Sequence, residues 1–470
     1  MNKLPIEIIK IIIEYDNESI ITLTSLNKIL YSLRKYLSIN MDYNKIKTEV
    51  QTDWLYKIDK NKMNKILTTF QMDWLYNVDK LPLENINKRF FKIRFSNYFN
   101  QKVQDLLKNV KPSNTTSDFL NVTHLTFKYW FNENIEWLPK NLTTLTFGHN
   151  FNKDVENLPK KITNLTFGDN FNKNVNNLPE NITHLTFGYK FNQNVNNLPK
   201  NTTHLIFGRK FDQNVDNLPK KLTHLTFGYK FNNNVDYLPK TIITLTFGYN
   251  FNQTVDNLQK NINYLTFGND FNKKVDNLPK NTANLVFGDD FDQNVDNLPQ
   301  TITRLIFGNG FNQKVDNLPK NIRILLFGGN FDKNVDNLPQ NITHLTFGNG
   351  FNQKVDNLPE SIIYLTFRWC FNQTVDNLPE NITHLILGNN FNKEVNNLPK
   401  TLTHLTFGNN FNQKLDDLPE SITHVVLPNN FCLKMTNDEF QEDITFFGIQ
   451  KKYAECEYLL KKYPNVDFSY

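Results

Sequence analysis

Cysteine is nearly absent: Cys370, Cys432 and Cys456 are the only three in 470 residues, with no CxxC pair and no even framework. That excludes a disulfide-stapled secreted scaffold and points to reduced thiols in an intracellular setting, cytoplasmic or nuclear. Long apolar runs are missing too. The stretch from Ile11 to Ile13 is interrupted by Glu7, Lys10 and Glu14, so it is neither a signal h-region nor a membrane span. Charge is nearly balanced, 52 basic against 47 acidic residues, for a net +5. Nucleic acid is therefore not expected as a partner, because neutralising phosphates takes a concentrated basic face. The glycines never form GxGxxG or GKT/S, which removes a phosphate loop. Serine is sparse within the repeat, and Cys370 has no repeat-independent His and Asn set beside it, so nucleophilic catalysis has no support. Neither an enzyme nor a cofactor is expected. The many Asn-x-Thr triplets, such as Asn181-Ile182-Thr183, read as by-products of a repeat rather than as glycosylation sites, given no signal peptide.

What the chain has is 40 Phe and a period of twenty. One unit runs from Asn181 to Lys200 and the next begins at Asn201 on the same template. Its Phe-Asn/Asp half recurs fifteen times from Phe131 to Phe411, and its strand-like half sixteen times from Asn121 to Ser421, without an insertion. Leu185 and Phe187, two apart, share one face of a strand. Ile182 precedes Leu185 by three, which bends the chain at the strand's entry. The spacing Ile182-x-x-Leu185-x-Phe187 matches the L-x-x-L-x-L core of leucine-rich repeats, in which each unit adds one strand to a continuous parallel sheet. Phe191, Val195 and Leu198 supply the return path, and neighbours must stack to bury these six. Twenty residues leave little room for a helix, and Leu198-Pro199 enforces an extended or turn conformation. The expectation is a mainly β solenoid with turns or short 3₁₀ segments opposite the strands; at about 4.8 Å per coil, sixteen coils would span roughly 75 Å. Glycine follows the strand in thirteen of sixteen units, for a positive φ or a close backbone approach; Lys128, Arg368 and Pro428 are the exceptions. Asp212, Asp292 and Asp332 replace the Asn after the second Phe. The shared task is thus to accept from backbone N–H groups in a turn, since a carboxylate cannot donate.

The Leu-Pro, Leu-Thr-Phe-Gly and Phe-Asn-Gln elements resemble the FNIP repeat family, relatives of leucine-rich repeats, over about two-thirds of the chain. Here Leu-Pro stands where that family usually has Ile-Pro in longer units. The head of the chain resembles an F-box: Leu4-Pro5-Ile6-Glu7-Ile8-Ile9, then Ile12-Ile13-Glu14-Tyr15, a polar break at Asp16-Asn17-Glu18, and Ser19-Ile20-Ile21-Thr22-Leu23 followed by Leu26 and Tyr31. Ser19 is placed to cap the second helix. The resemblance implies docking on the Skp adaptor of a cullin–RING ubiquitin ligase through Leu4, Pro5, Ile8, Ile9 and Tyr15, with the solenoid holding a protein substrate and the protein monomeric outside that complex. The alternative is an interaction scaffold in which these two helices only cap the sheet.

The expected organisation is an F-box-like segment at 1–35, degenerate repeats with an insertion at 36–120, the repeat solenoid at 121–430 and a cap at 431–470. Degenerate coils begin near residue 50: Trp74-x-x-x-Val78-Asp79-x-Leu81-Pro82 falls on Phe151-x-x-x-Val155-Glu156-x-Leu158-Pro159, and Gln51-Thr52-Asp53-Trp54 on Gln71-Met72-Asp73-Trp74. Tyr453, Leu459 and Leu460, among Lys and Glu in the stretch 438–463, suggest a helix over the last open sheet edge.

Eight of nine histidines share the fourth repeat position: His124, His184, His204, His224, His344, His384, His404 and His424. Stacking would set imidazoles side by side, which invites a metal. Alternation with Leu185 and Phe187 instead points them out of the core, and no carboxylate or Cys accompanies them, so no metal is expected. Outward positions vary while inward ones barely change. The fourth and sixth positions of neighbouring units yield Tyr264, Asn284, Val286, Arg304, Ile306, Ile324, Leu326 and Tyr364, expected as a partner-binding patch on the concave face and centred on 281–330. Read blandly, the same residues are β-formers exchanged without consequence. Arg368-Trp369-Cys370 replaces Gly-x-x and is a second irregular spot.

Overall fold

The computed structural model describes residues 71–72, 92–95, 122–136, 138–415, 417–428, 431 and 462–469. The chain divides into two compact units, Met1–His149 and Asn150–Tyr470. The F-box-like segment and its expected docking residues Leu4, Pro5, Ile8, Ile9 and Tyr15 lie outside the described residues.

In the first unit, β1 (Gln71–Met72), β2 (Lys92–Phe95), β3 (His124–Thr126) and β4 (Thr144–Thr146) pair in parallel and in chain order. The long step from β2 to β3 contains the insertion around Lys111–Ser117. The second unit repeats one device: β5 (Asn164–Thr166) begins a series of three-residue strands that recurs every twenty residues to β18 (His424–Val426). Each is parallel to the next with like positions opposed, as in Leu185 against Leu205.

The coil closes in twenty residues because turns do the work that a helix would do in a longer unit. The carbonyl of Gly188 accepts from Phe191 N–H at 3.4 Å, that of Val235 from Leu238 N–H at 3.4 Å, and that of Pro199 from Thr202 N–H at 3.1 Å. Proline suits the last of these turns: it presets φ, and its missing donor is not needed where its carbonyl is the bonded group. Ile182, Leu185, Phe187, Phe191, Val195 and Leu198 are buried together, and their counterparts are buried along the stack. No coil could bury them alone, so stability comes from neighbours. Where Thr202 and Thr282 replace the isoleucine at the second position, their hydroxyls donate to Ile182 and Ile262 carbonyls at 3.4 and 3.3 Å, which satisfies a fully buried polar atom.

Glycine after the strand answers to crowding rather than to backbone sign. A Cβ on Gly248 would overlap the carbonyl of Gly228 in the preceding coil, and its φ lies outside the left-handed region. The Asn/Asp position also differs from expectation. Its side-chain oxygen does accept from a backbone N–H, but from the next coil rather than within its own turn: Asn192 N–H bonds Asn172 Oδ1 at 2.9 Å, and the pattern runs unbroken from Asn152 to Asn412. Each link needs only an acceptor, which is why carboxylates serve at Asp212, Asp292 and Asp332. The row stops at Asn412, whose buried Oδ1 has no partner among the described residues.

The helix expected over the last sheet edge falls outside the described residues. What pairs with β18 is a strand, β19 (Asp467–Ser469), running parallel to it. Tyr463 fastens this segment: its hydroxyl donates to Leu415 O at 3.0 Å and accepts from Leu418 N–H at 3.2 Å. Among the described residues no helix is long and apolar enough to cross a membrane.

Candidate functional site

Strand alternation sends the second residue of every strand into the core and the first and third to the opposite face. That opposite face of the second unit is the candidate partner-binding surface. Its first-position row contains Tyr264, Asn284, Arg304 and Ile324 in adjacent register, followed by His344 and Tyr364. The third-position row places Val286 beside Ile306 and Ile306 beside Leu326. The structure thus brings the sequence-derived candidates together on one surface. Their exposure is uneven. Tyr264 stands out at 51%, while Val286, Ile306 and Leu326 are half-buried because each shields the next.

The most exposed apolar side chains of that row lie elsewhere. Ile206 (44%) and Ile386 (43%) each sit between threonines, Thr186 and Thr226 for one, Thr366 and Thr406 for the other. Sequence reading singled out the run of three apolar residues. It missed that isolated ones, without a bulky neighbour, are the more exposed.

Histidine gives the face its chemistry. His184, His204 and His224 stack ring on ring at 4.2 Å, and His344, Tyr364, His384, His404 and His424 form a five-membered stack at 4.2–4.5 Å. In every such histidine Nδ1 lies 2.8–2.9 Å from the preceding Thr Oγ1. Those hydroxyls also reach the carbonyl of the coil before; Thr203 Oγ1 donates to Thr183 O at 3.1 Å. A hydroxyl has one proton to give, so Oγ1 accepts from the ring and the neutral imidazole is the Nδ1–H tautomer. Nε2 is left as the acceptor for an incoming donor. Neighbouring planes are within 11° of parallel along His184, His204 and His224, so their lone pairs run side by side and cannot converge on one ion. No group of three ligand-type residues suited to a metal occurs among the described residues. Burial first, then the flanking His184 and His224, holds His204 below its ordinary pKa; burial and then His404 do the same for His384.

Ring spacing widens away from this face. Histidines are 4.2 Å apart, the Phe187 row is 5.5–5.8 Å from its neighbours, and the Phe191 row 6.1 Å. Coils are drawn together on the strand side and fan apart on the other, which packs the outward strand residues into a dense surface.

A second feature lies at the turn just past the strand. Arg209 places its guanidinium over the Tyr229 ring at 4.3 Å and nearer the edge of reach over Tyr189 at 5.6 Å, and Tyr229 stacks on Tyr249 at 4.6 Å. The Tyr249 phenol is raised above its ordinary pKa by Tyr229 first, then by burial, then by Asp270, Asp290 and Asp289. The irregular Arg368-Trp369-Cys370 turn keeps the backbone links of its neighbours: Cys370 N–H bonds Asn349 O and Asn390 N–H bonds Trp369 O, both at 2.9 Å. Only its exposed side chains differ.

The FNIP Repeat family model matches residues 131–250 and 274–410, more than half of the chain. Among solved structures, one described as CroV588, a novel circular LRR protein structure, is 42% identical with a TM-score of 0.66; the match covers 72% of this chain and 53% of that one. The chain therefore spans about half the length of that relative. YopM from Yersinia enterocolitica WA-314 is 17% identical with a TM-score of 0.40, covering 65% of this chain and 73% of its own. None of the curated proteins matches.

Proposed function

Because the chain belongs to the FNIP repeat family, we propose that it is a protein-interaction solenoid that holds a protein partner on the outward strand face of its second unit. One observation carries this reading: side chains facing the core scarcely vary from coil to coil, whereas those facing outward change size, polarity and charge, from Tyr264 to Arg304 to Ile324. Packing accounts for the first set and has no use for the second. Tyr264, Arg304 and Tyr364 are the residue types that dominate binding energy at protein interfaces, and Val286, Ile306 and Leu326 supply apolar area between them. The row of Nε2 acceptors adds directional hydrogen bonding. Repeat solenoids of this leucine-rich kind are typically binding scaffolds. The test is affinity capture with a Tyr264→Asp/Ile306→Asp variant beside a Lys333→Asp control on another face. A partner held here is lost from the first and kept by the second; equal recovery from both refutes the site.

A finer reading adds a ubiquitin-ligase role, and what favours it is the Leu4-Pro5-Ile6-Glu7 opening with its two amphipathic segments. In that reading Leu4, Pro5, Ile8, Ile9 and Tyr15 dock the Skp-type adaptor and the solenoid presents the bound protein as substrate. Full-length chain and a Leu4→Asp/Ile8→Asp variant are compared for recovery of the adaptor. Loss in the variant supports the reading. Equal recovery, or none from either, leaves the solenoid as a scaffold without a ubiquitin link.

A further inference from the structure

The turn after each strand contributes two outward positions, and in the middle of the second unit these carry an ordered sequence of charge. Three consecutive coils present Tyr189-Lys190, Arg209-Lys210 and Tyr229-Lys230; the next presents Tyr249-Asn250; the following two present Asn269-Asp270 and Asp289-Asp290. Lys190, Arg209, Lys210, Lys230 and Asp290 are exposed and Asp270 and Asp289 half-buried. Successive turns are tied to one another along the row: Lys210 N–H bonds Tyr189 O, Lys230 N–H bonds Arg209 O, Asn250 N–H bonds Tyr229 O, Asp270 N–H bonds Tyr249 O and Asp290 N–H bonds Asn269 O, at 2.8–2.9 Å. The residues therefore form one rigid line rather than six independent loops. Lys273 and Lys274 come after the buried Phe271, beyond the turn.

Over the five coils from Arg209-Lys210 to Asp289-Asp290 the line is antisymmetric in charge about the Tyr249 coil; Lys190, one coil further out, has the uncharged Asn309-Gly310 as its counterpart. One coil to its N-terminal side stands Lys230 and one coil to the other side Asp270. Two coils away stand Arg209-Lys210 and Asp289-Asp290. Within one chain these charges are too far apart to pair: Lys230 and Asp270 are two coils, about 10 Å, apart, and Lys210 and Asp290 about 20 Å at ~4.8 Å per coil. Charges at that distance are largely screened at physiological salt.

We propose that this row is a docking surface for a second copy of the same chain, laid antiparallel with the twofold axis at Tyr249. Antiparallel apposition sets Lys230 against Asp270 of the second copy and Arg209-Lys210 against its Asp289-Asp290, and the symmetry makes each contact twice. Parallel apposition would face lysine with lysine and aspartate with aspartate, so the sign pattern selects orientation as well as partner. Tyr229 and Tyr249, stacked and partly exposed, form the uncharged centre where two copies cross. The Arg209 guanidinium, held over Tyr229, is ordered before any partner arrives, so less side-chain entropy is lost on docking. Only about ten residues per copy take part, against the 20–30 of a standard interface. The dimer is consequently weak and salt-sensitive, in place of the monomer expected from sequence. It uses the turn row, so the strand face remains open to the partner proposed above.

The test is sedimentation velocity of the full chain at tens of micromolar protein, in 25 mM and 500 mM salt. Wild type shows a monomer–dimer equilibrium in low salt whose dissociation constant rises at least tenfold in high salt. Lys210→Glu/Lys230→Glu and Asp270→Lys/Asp290→Lys variants, folded by circular dichroism, are each monomeric alone. Mixed one to one they form a heterodimer, because each reversed charge then meets an opposite charge on the other variant, while Arg209 still faces Asp289. A wild type that is monomeric in low salt, a dimer that survives either reversal, or a mixture that does not associate overturns the proposal. Binding of the strand-face partner is read separately, and its presence or absence does not bear on this result.

Discussion

Phe187 and Phe191 lie face to face in one coil, their ring centroids 3.7 Å apart and their planes within 8°. The two are not equivalent. Every coil places phenylalanine at the Phe191 position from Phe131 to Phe431, whereas Leu387 and Leu427 occupy the Phe187 position and stay buried. Phe191 also continues a column to Phe171 and Phe211 at 6.1 Å. Phe191→Ala is expected to cost about 3–5 kcal/mol, as for other buried aromatics, and Phe187→Leu less than about 1.5 kcal/mol. Hydrogen exchange is the measurement, since coils contact only their neighbours and the loss concentrates in the adjoining strands.

Gly248→Ala tests crowding between coils. The added methyl meets the Gly228 carbonyl, and the two coils must shift to admit it. Arg368 occupies the same repeat position with a full side chain, so the stack can yield and the cost is finite, about 1–3 kcal/mol. Denaturant unfolding checks it. No change in midpoint would mean that the close approach is not a constraint.

The Asn row separates acceptor from donor. Asn252 Oδ1 accepts from Asn272 N–H at 3.0 Å. Asn252→Asp keeps that acceptor and is expected to change stability by less than about 0.5 kcal/mol, whereas Asn252→Ala strands a backbone donor and costs about 1–2 kcal/mol. If both substitutions cost the same, the oxygen is not the reason the residue is there.

Acid should loosen the histidine stack. His204 and His384 titrate below their ordinary value in the folded chain, so as pH falls through the ordinary value the unfolded chain takes up protons first. Stability is therefore full above that value and declines as pH drops toward the folded one. The melting temperature is predicted to be lower at pH 5 than at pH 7.5. The decrement should shrink when His184, His204 and His224 are replaced by Thr, the residue already present at Thr144 and Thr244. An unchanged decrement would assign the acid effect to carboxylates instead.

Much of this architecture was legible because a twenty-residue period states which residues recur and hence which must touch. The inward set Ile182, Leu185, Phe187, Phe191, Val195 and Leu198 followed from strand alternation and a need for burial. Relations between coils were less legible. That Asn192 reaches Asn172, or that Gly248 crowds Gly228, depends on coil spacing, which a single unit does not encode. The candidate face was readable as a list of variable positions, Ile206 and Ile386 among them, yet exposure depends on lateral neighbours, so the fact that these two stand out further than the Val286–Ile306–Leu326 run was not readable. The strand Asp467–Ser469 was missed for another reason: it lies outside the period and pairs through its backbone, which leaves no side-chain signature.

The central claim is that the outward strand face holds a protein partner. Photo-cross-linking tests it most directly, with benzoylphenylalanine placed singly at Tyr264, Ile306 and, as a control on another face, Lys333, in the full chain expressed in its native cell. The account predicts adducts of one common mass from Tyr264 and Ile306 and none from Lys333. Adducts from Lys333 alone, or no adduct from the two strand positions, would contradict it.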